Sequence, residues 1–319
     1  MAIESGCRGT TDETPAAEVR TTSPLSGFAL RDAESAGRRA LAVKIDNHAD
    51  ARPQSGLPGA EVVYEELVEG GITRFVAVYL DEEVGEIGPV RSARPADIDI
   101  LGLIDPLFAV SGGSPLVMGM FEESSLNLVT EDDDQEKYFF RSRERRAPHN
   151  LYTSTTLLRA CCLEGGINGF AWRDDLFKFG DPGPGNECTN IEVGYPGRCQ
   201  ASYAYDPQEG DYKRSIAGQA HLDKTTGSHI APTTVIVQYV ELEDRGVRDM
   251  AGALSPDAVV VGGGEALVFT VGTVRHGSWE RGSSAEMTVF RDGEGEEIVI
   301  NPGQVWIHLI PDGIRVDYL

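Results

Sequence analysis

Beyond Ala201 the chain is written in short alternating runs punctuated by glycine and proline, and this feature does most to limit how it can fold. The runs are Ala201–Asp206, Tyr212–Ile216, Thr233–Val240, Ala258–Val261, Glu265–Val271, Gly272–Trp279, Glu286–Phe290, Glu297–Ile300 and Gln304–Leu309. Turn signals such as Asp292-Gly293 and Asn301-Pro302-Gly303 separate them. Strand-length pieces joined by glycine-rich turns pair into sheets, so residues 201–319 are expected to form a β-rich C-terminal domain.

The first half reads differently. Arg39–Ile45 alternates and predicts a strand, Thr73–Leu80 (TRFVAVYL) predicts a strong one, and Glu86–Val90 is its short partner after the turn Asp81–Gly85. Ala60–Leu67 is either a strand or a helix start, and Pro106–Ser111 is a further strand. Ala96–Leu103, Pro115–Phe121 and Leu151–Cys162 predict helices, the last capped by Thr153 or Ser154. Helices thus concentrate before Cys162 and strands after it. The expected class is α/β or α+β, with an N-terminal mixed sheet and helices over residues 24–180 and a smaller, mostly β domain over 201–319. Residues 181–200 shift to Gly, Pro and Asn and predict a linker; the polar residues 1–23 predict a disordered tether.

Charge excludes some functions. There are 51 acidic residues against 28 basic ones, a formal charge of -23. A non-specific nucleic-acid binder needs a basic footprint, so no nucleic-acid partner is expected. No run approaches the roughly 20 apolar residues of a membrane span. Ser5-Gly6 before Cys7 fits the lipid-bearing cysteine of a bacterial lipoprotein, with Glu4 off the usual pattern; the alternative is an ordinary tail cysteine. Membrane contact is expected only through that lipid. Five cysteines leave four after Cys7, and a Cys188–Cys199 crosslink would stiffen the Gly/Pro-rich loop in an oxidising, extracytoplasmic compartment. A zinc site lacks both CxxC and a matching His pair.

Polar residues gather at strand ends of the first half. Asp46-Asn47-His48 follows the first strand directly, with Arg52 and Gln54 on the same loop. If Thr73–Leu80 and Glu86–Val90 form a hairpin, Thr73-Arg74 and Arg91-Ser92-Ala93-Arg94 meet at one end. Arg74, Arg91 and Arg94 then either grip an anion with their planar donor forks or are neutralised by Glu65, Glu66 and Glu69. Gly112, Gly113 and Ser114, between a strand and a helix, either cradle an anion on backbone N–H groups or simply turn the chain. The basic run Arg141–Arg146 balances the acidic run Glu131–Glu136 and leads to His149 and Asn150, where a loop His before a helix suits a proton donor or base. His221 and Asp223, two apart, share one face of a strand as an orienting pair or an ordinary polar contact.

Leu41–Tyr79, Ile87–Pro95 (IGPVRSARP) and Gly112–Pro115 together resemble the YerB-like lipoproteins of bacteria. So do Tyr212-Lys213-Arg214, His221-Leu222-Asp223, Thr226-Gly227, Gly277-Ser278-Trp279 and Asn301–Ile307. The resemblance spans roughly Pro24–Pro311. It implies two consecutive family domains and a lipid-anchored protein outside the cytoplasmic membrane, and it implies no reaction. More weakly, Thr73-Arg74 and the returning Arg91–Arg94 resemble the LytR-CpsA-Psr cell-wall ligases, which grip a polyprenyl-linked pyrophosphate with arginines; Ser92-Ala93 stands where those proteins carry Arg-Asp.

Three functions follow as expectations. The first is a binding module for an anionic envelope ligand or cell-wall glycan, held by Arg74, Arg91 and Arg94 with Asp46, Asn47 and His48 setting selectivity. The second is a hydrolase or transferase on an envelope glycopolymer, with Asp46 or Glu65 as base, His48 or His149 as acid–base partner, and no cofactor beyond a divalent metal at Asp46 with Glu69. The third is a scaffold presenting Trp279, Trp306 and nearby tyrosines to a partner protein.

Overall fold

Strand β1 (Leu41–Asp46) is buried at all of its positions. A strand covered on both faces has to lie inside a sheet, which explains its β-branched and aliphatic content. The computed structural model describes residues 20–133, 137–170, 172, 174–248 and 252–319. Cys7, the tether up to residue 19 and the acidic run at 134–136 lie outside the described residues.

The chain is α+β. Strands β2 (Val62–Leu67) and β3 (Thr73–Tyr79) are antiparallel, and β3 lies between β2 and β1. Strand β4 (Leu107–Val110) runs parallel to β1, and β5 (Asn127–Thr130) parallel to β4. On the far side of β2 the sheet continues with strands from the second half of the sequence. Val305–Ile310 pairs parallel to β2, Thr234–Tyr239 parallel to that, and Gly262–Thr270, Thr273–Arg281 and Val289–Asp292 extend it antiparallel. With Asn186–Glu187 on Thr273–Arg281, eleven strands among the described residues form one sheet spanning both halves of the chain. A second sheet joins Asn190–Val193, Ala201–Asp206, Asp211–Ile216, Gln219–Ala220 and Val316–Tyr318.

The large sheet is covered on both faces. Leu41, Val43 and Ile45 of β1 and Phe75, Ala77 and Tyr79 of β3 pack with Tyr203 and Tyr212 of the second sheet and Leu158 of helix α3 (Thr155–Glu164). Ala42 of β1 and Val76 and Val78 of β3 pack the other way, with Ile100 and Leu101 of helix α1 (Ala96–Leu101) and Val117 and Phe121 of helix α2 (Pro115–Glu123). Ser114 caps α2 through Val117 N, with Pro115 behind it, and Ser154 caps α3 through Leu157 N. Leu151–Tyr152 is instead a short strand paired with Phe140–Arg141, so the helix starts at Thr155 and not at Leu151.

Three expectations are corrected. Glu86–Val90 does not pair with β3, because β1 and β2 occupy both of that strand's edges; instead Val90 bridges Ile45 and Ile87 bridges Thr153. Among the described residues Cys161, Cys162, Cys188 and Cys199 form no disulfide. Cys188 and Cys199 flank opposite ends of the ladder in which Asn190 pairs with Ala204 and Val193 with Ala201. At roughly 3.3 Å per residue, that separation is beyond the ~7 Å a disulfide can span. Trp279 and Trp306 are buried, 3% and 0% exposed, so neither presents a surface to a partner. Among the described residues no helix is long and apolar enough to cross a membrane.

Candidate functional site

Strands β1, β2 and β4 are mutually parallel, so their carboxyl ends fall on one edge of the sheet, the edge where β3 begins. Asp46 ends β1, and its Cα partner on β3 is Arg74. Arg91 arrives by its own route: Arg91 N donates to Lys44 O, which sets it just past the end of β1. The three arginines therefore meet, although not through the hairpin.

Two of the three have acid partners. Arg94 Nη2 donates to Glu69 Oε2 at 2.6 Å. Arg91 Nε lies 3.1 Å from Asp46 Oδ2 as an ion pair, though its N–H is not aligned for a hydrogen bond. Arg74 Nη1 donates at 2.8 Å to the Ser92 carbonyl, and its buried Nε has no partner. Burial, then the charges of Arg94 and Arg91, push Arg74 down to about 9, with Asp46 and Glu69 opposing. One pleat further in, Lys44 is bracketed by Glu66 and by Asp97 Oδ1, the latter at 2.6 Å. Burial pushes the Glu66 carboxyl up, against the pull of Lys44. Charge is thus layered: three guanidiniums face two carboxylates at the edge, and one ammonium faces two carboxylates beneath.

Asp46 is also the anchor of two histidines. Its Oδ1 accepts His48 N at 2.9 Å, and its Oδ2 lies 2.7 Å from His149 Nδ1. A carboxylate oxygen accepts, so Nδ1 is the donor of this contact and Nε2 is not engaged by Asp46. The rings of His48 and His149 stack with centroids 4.9 Å apart. His48, Asp50 and His149 each place a ligand atom within 4.8 Å of the others, a donor set that suits a divalent ion better than Asp46 with Glu69, whose oxygens face arginines.

The remaining predicted residues divide by position. Gly112 O accepts Ala93 N, so the turn Gly112–Ser114 lies beside the arginine segment, and Ser92 Oγ is 3.4 Å from Ser111 Oγ. Asn150 serves its own loop, accepting from Arg141 and donating to Ser142 O; Arg141 in turn pairs with Glu131. Arg52 clamps Asn47 by its side chain and carbonyl, and Gln54 Nε2 donates to Asp46 O.

Glu65 lies on the opposite face of β2 from this edge system. It accepts from Thr73 at 2.8 Å, Arg214 at 2.9 Å and Trp306 at 3.0 Å, and it is fully buried. Burial alone would raise its carboxyl, but Arg214 above all, with His308 and these hydrogen bonds, holds it below the usual range. Thr73, bonded to Asn47 and Glu65, belongs to the same sealed network. His221 is 2% exposed, bonded to Arg214 and to Gln54 Oε1, while Asp223 accepts Gly56 N, Thr225 N and Thr226 N. His221 and Asp223 therefore serve different partners. Sequence reading missed Lys44 and Asp97. A lysine inside the apolar run LAVKID, in phase with Asp46, was the available signal.

Comparison with known proteins bears on this arrangement. Residues 25–167 match the N-terminal domain, and residues 191–307 the C-terminal domain, of the family described as "Protein of unknown function (DUF3048)". The chain belongs to the DUF3048 family. Over 308 residues it is 30% identical to a Bacillus subtilis (strain 168) protein named "Putative lipoprotein YerB", covering 94% of this chain and 89% of the relative. The crystal structure of YerB from Bacillus subtilis superposes with a TM-score of 0.83 at 28% identity, covering 93% of this chain and all of that one. The DUF3048 match takes in the carboxyl edge and, as far as residue 307, the strands from Thr234 onward that complete the sheet.

Proposed function

We propose that this protein is a lipid-anchored envelope protein whose carboxyl sheet edge binds an anionic ligand, a phosphorylated or carboxylated envelope glycan or lipid intermediate. The observation that carries the reading is Arg74. Its guanidinium is buried, its bond goes to a carbonyl, and its strongest charged neighbours are two other arginines. An oxyanion reaching Arg91, whose side chain is 21% exposed, would relieve that repulsion. The lipid anchor and the address outside the membrane rest on the name of the Bacillus relative and on Cys7. The test is calorimetric titration of the full chain with pyrophosphate and with cell-wall fragments. Arg91→Ala should weaken binding by about 1.5–3 kcal/mol, the scale of a charged hydrogen bond. Unchanged affinity rejects the site.

His149 favours a second reading, a hydrolase or transferase acting on an envelope glycopolymer. Asp46 fixes the ring through Nδ1, and the same carboxylate oxygen holds Arg91. Incubation with lipid-linked or polymeric glycan and magnesium would yield product in the wild type and lose it in His149→Gln. Binding without turnover leaves the first reading standing alone.

A further inference from the structure

A second recess lies at the opposite edge of the sheet, where β2 begins. It encloses about 720 Å³ between the segment Ser23–Arg31, the turn at Gly56–Glu61, the turn after β3 and the loop at Asp223–Thr226. That volume is in the range of small-molecule sites. Its lining holds six carboxylates and one arginine, Arg31.

Five of the six carboxylates are committed. Asp81 accepts Arg31 N, Glu82 pairs with the Arg31 guanidinium, and Glu83 accepts the Thr155 hydroxyl. Glu86 takes Ser55 and Lys224, and Asp223 takes three backbone N–H groups. Glu61 differs. It is 7% exposed, its Oε1 accepts the Ser26 hydroxyl at 3.2 Å, the Ser23 hydroxyl lies close by, and its buried Oε2 has no aligned hydrogen-bond donor. A carboxylate oxygen buried without a partner costs folding energy unless something supplies a donor. Phe28, 56% exposed, with Pro58 and Val84, adds an apolar wall beside it.

We propose that this recess binds an organic ammonium ligand, an amine carried on a short hydrocarbon frame, with the ammonium on Glu61 and the frame against Phe28 and Val84. A bare calcium ion fits poorly, since it asks for six to eight converging oxygens, and the lining carboxylates are drawn apart onto Arg31, Thr155, Lys224 and backbone N–H groups. Burial first, with Asp81 and Glu82 adding to it, pushes the Glu61 carboxyl up to about 7, and Ser23 and Ser26 oppose. Arg159 lies within its field, and Arg31 is the arginine of the lining. A bound ammonium displaces the proton, so affinity rises as pH passes upward through neutrality.

The test is calorimetric titration of the full chain at about 0.15 M salt, where diffuse attraction to an acidic surface is screened. The probes are 1,5-diaminopentane, its neutral analogue 1,5-pentanediol, and calcium. Saturable binding of the diamine and none of the diol is expected, with Glu61→Gln weakening the diamine about tenfold or more while thermal unfolding stays unchanged or rises. The proposal is overturned by no saturable diamine binding, by equal affinity in Glu61→Gln, or by calcium binding where the diamine does not. Arg91 plays no part here, so Arg91→Ala should leave diamine binding intact whatever it does at the other edge.

Discussion

His149 Nδ1 sits 2.7 Å from Asp46 Oδ2, two groups 103 residues apart in sequence. One buried carboxylate thereby orders a histidine, the backbone of His48 and the ion pair to Arg91. Asp46→Asn removes the charge all three share, whereas His149→Ala removes one contact. In urea unfolding, Asp46→Asn should cost more stability than His149→Ala, each lost charged hydrogen bond being worth about 1.5–3 kcal/mol. Equal costs would mean that Asp46 anchors nothing but the histidine.

Glu65 and Arg214 form an ion pair with both side chains fully buried. Removing one partner strands the other, so Arg214→Met should cost about 3–5 kcal/mol. Glu65→Gln combined with Arg214→Met should cost far less than the two single losses together. Denaturant midpoints of the three variants check this.

Glu61 gives a pH signature. Its folded carboxyl is raised from 4.5 to about 7, so the folded state holds a proton that the unfolded chain releases. Its contribution to stability is full below about pH 4.5 and is lost as pH rises through 7. Glu61→Gln should therefore gain stability relative to the wild type above pH 7 and show no such gain near pH 4. Melting temperatures across that window give the answer.

Strand β2 has β3 on one side and Val305–Ile310 on the other. Residues 24–180 produced alone should expose the second edge of β2, Val62–Leu67, and aggregate or fail to show cooperative unfolding. Mixing with residues 181–319 should restore the sheet. A stable, cooperatively melting N-terminal fragment would show that the first half closes on its own.

Local features were legible in the sequence. The alternation of Thr73–Leu80, the Ser114-Pro115 start of α2 and the Ser154 cap of α3 are short-range signals, and the elements stand within a few residues of where those signals put them. Pairing was not legible. Glu86–Val90 follows β3 after a short turn, and a local hairpin is the cheapest inference, yet the partner that Val90 found is Ile45. The arginines still converge, because the end of β1 and the start of β3 share an edge. The likeness of Glu65 and Glu66 in sequence hid their separation: adjacent residues of a strand face opposite ways, one toward Arg214 and one toward Lys44. Gly277, within a motif noted in the sequence, has a geometric reason, since a Cβ there would stand 1.9 Å from the Arg291 carbonyl oxygen.

Trp306 donates to Glu65 across 241 residues of chain, and it does so from the strand that fills the middle of the large sheet. As the polypeptide emerges from the ribosome, β1, β2 and β3 must wait for that late strand before their shared layer is complete. Until then the Val62–Leu67 border is an open template for any extended segment nearby, so a holding chaperone or delayed collapse has most to do during that interval.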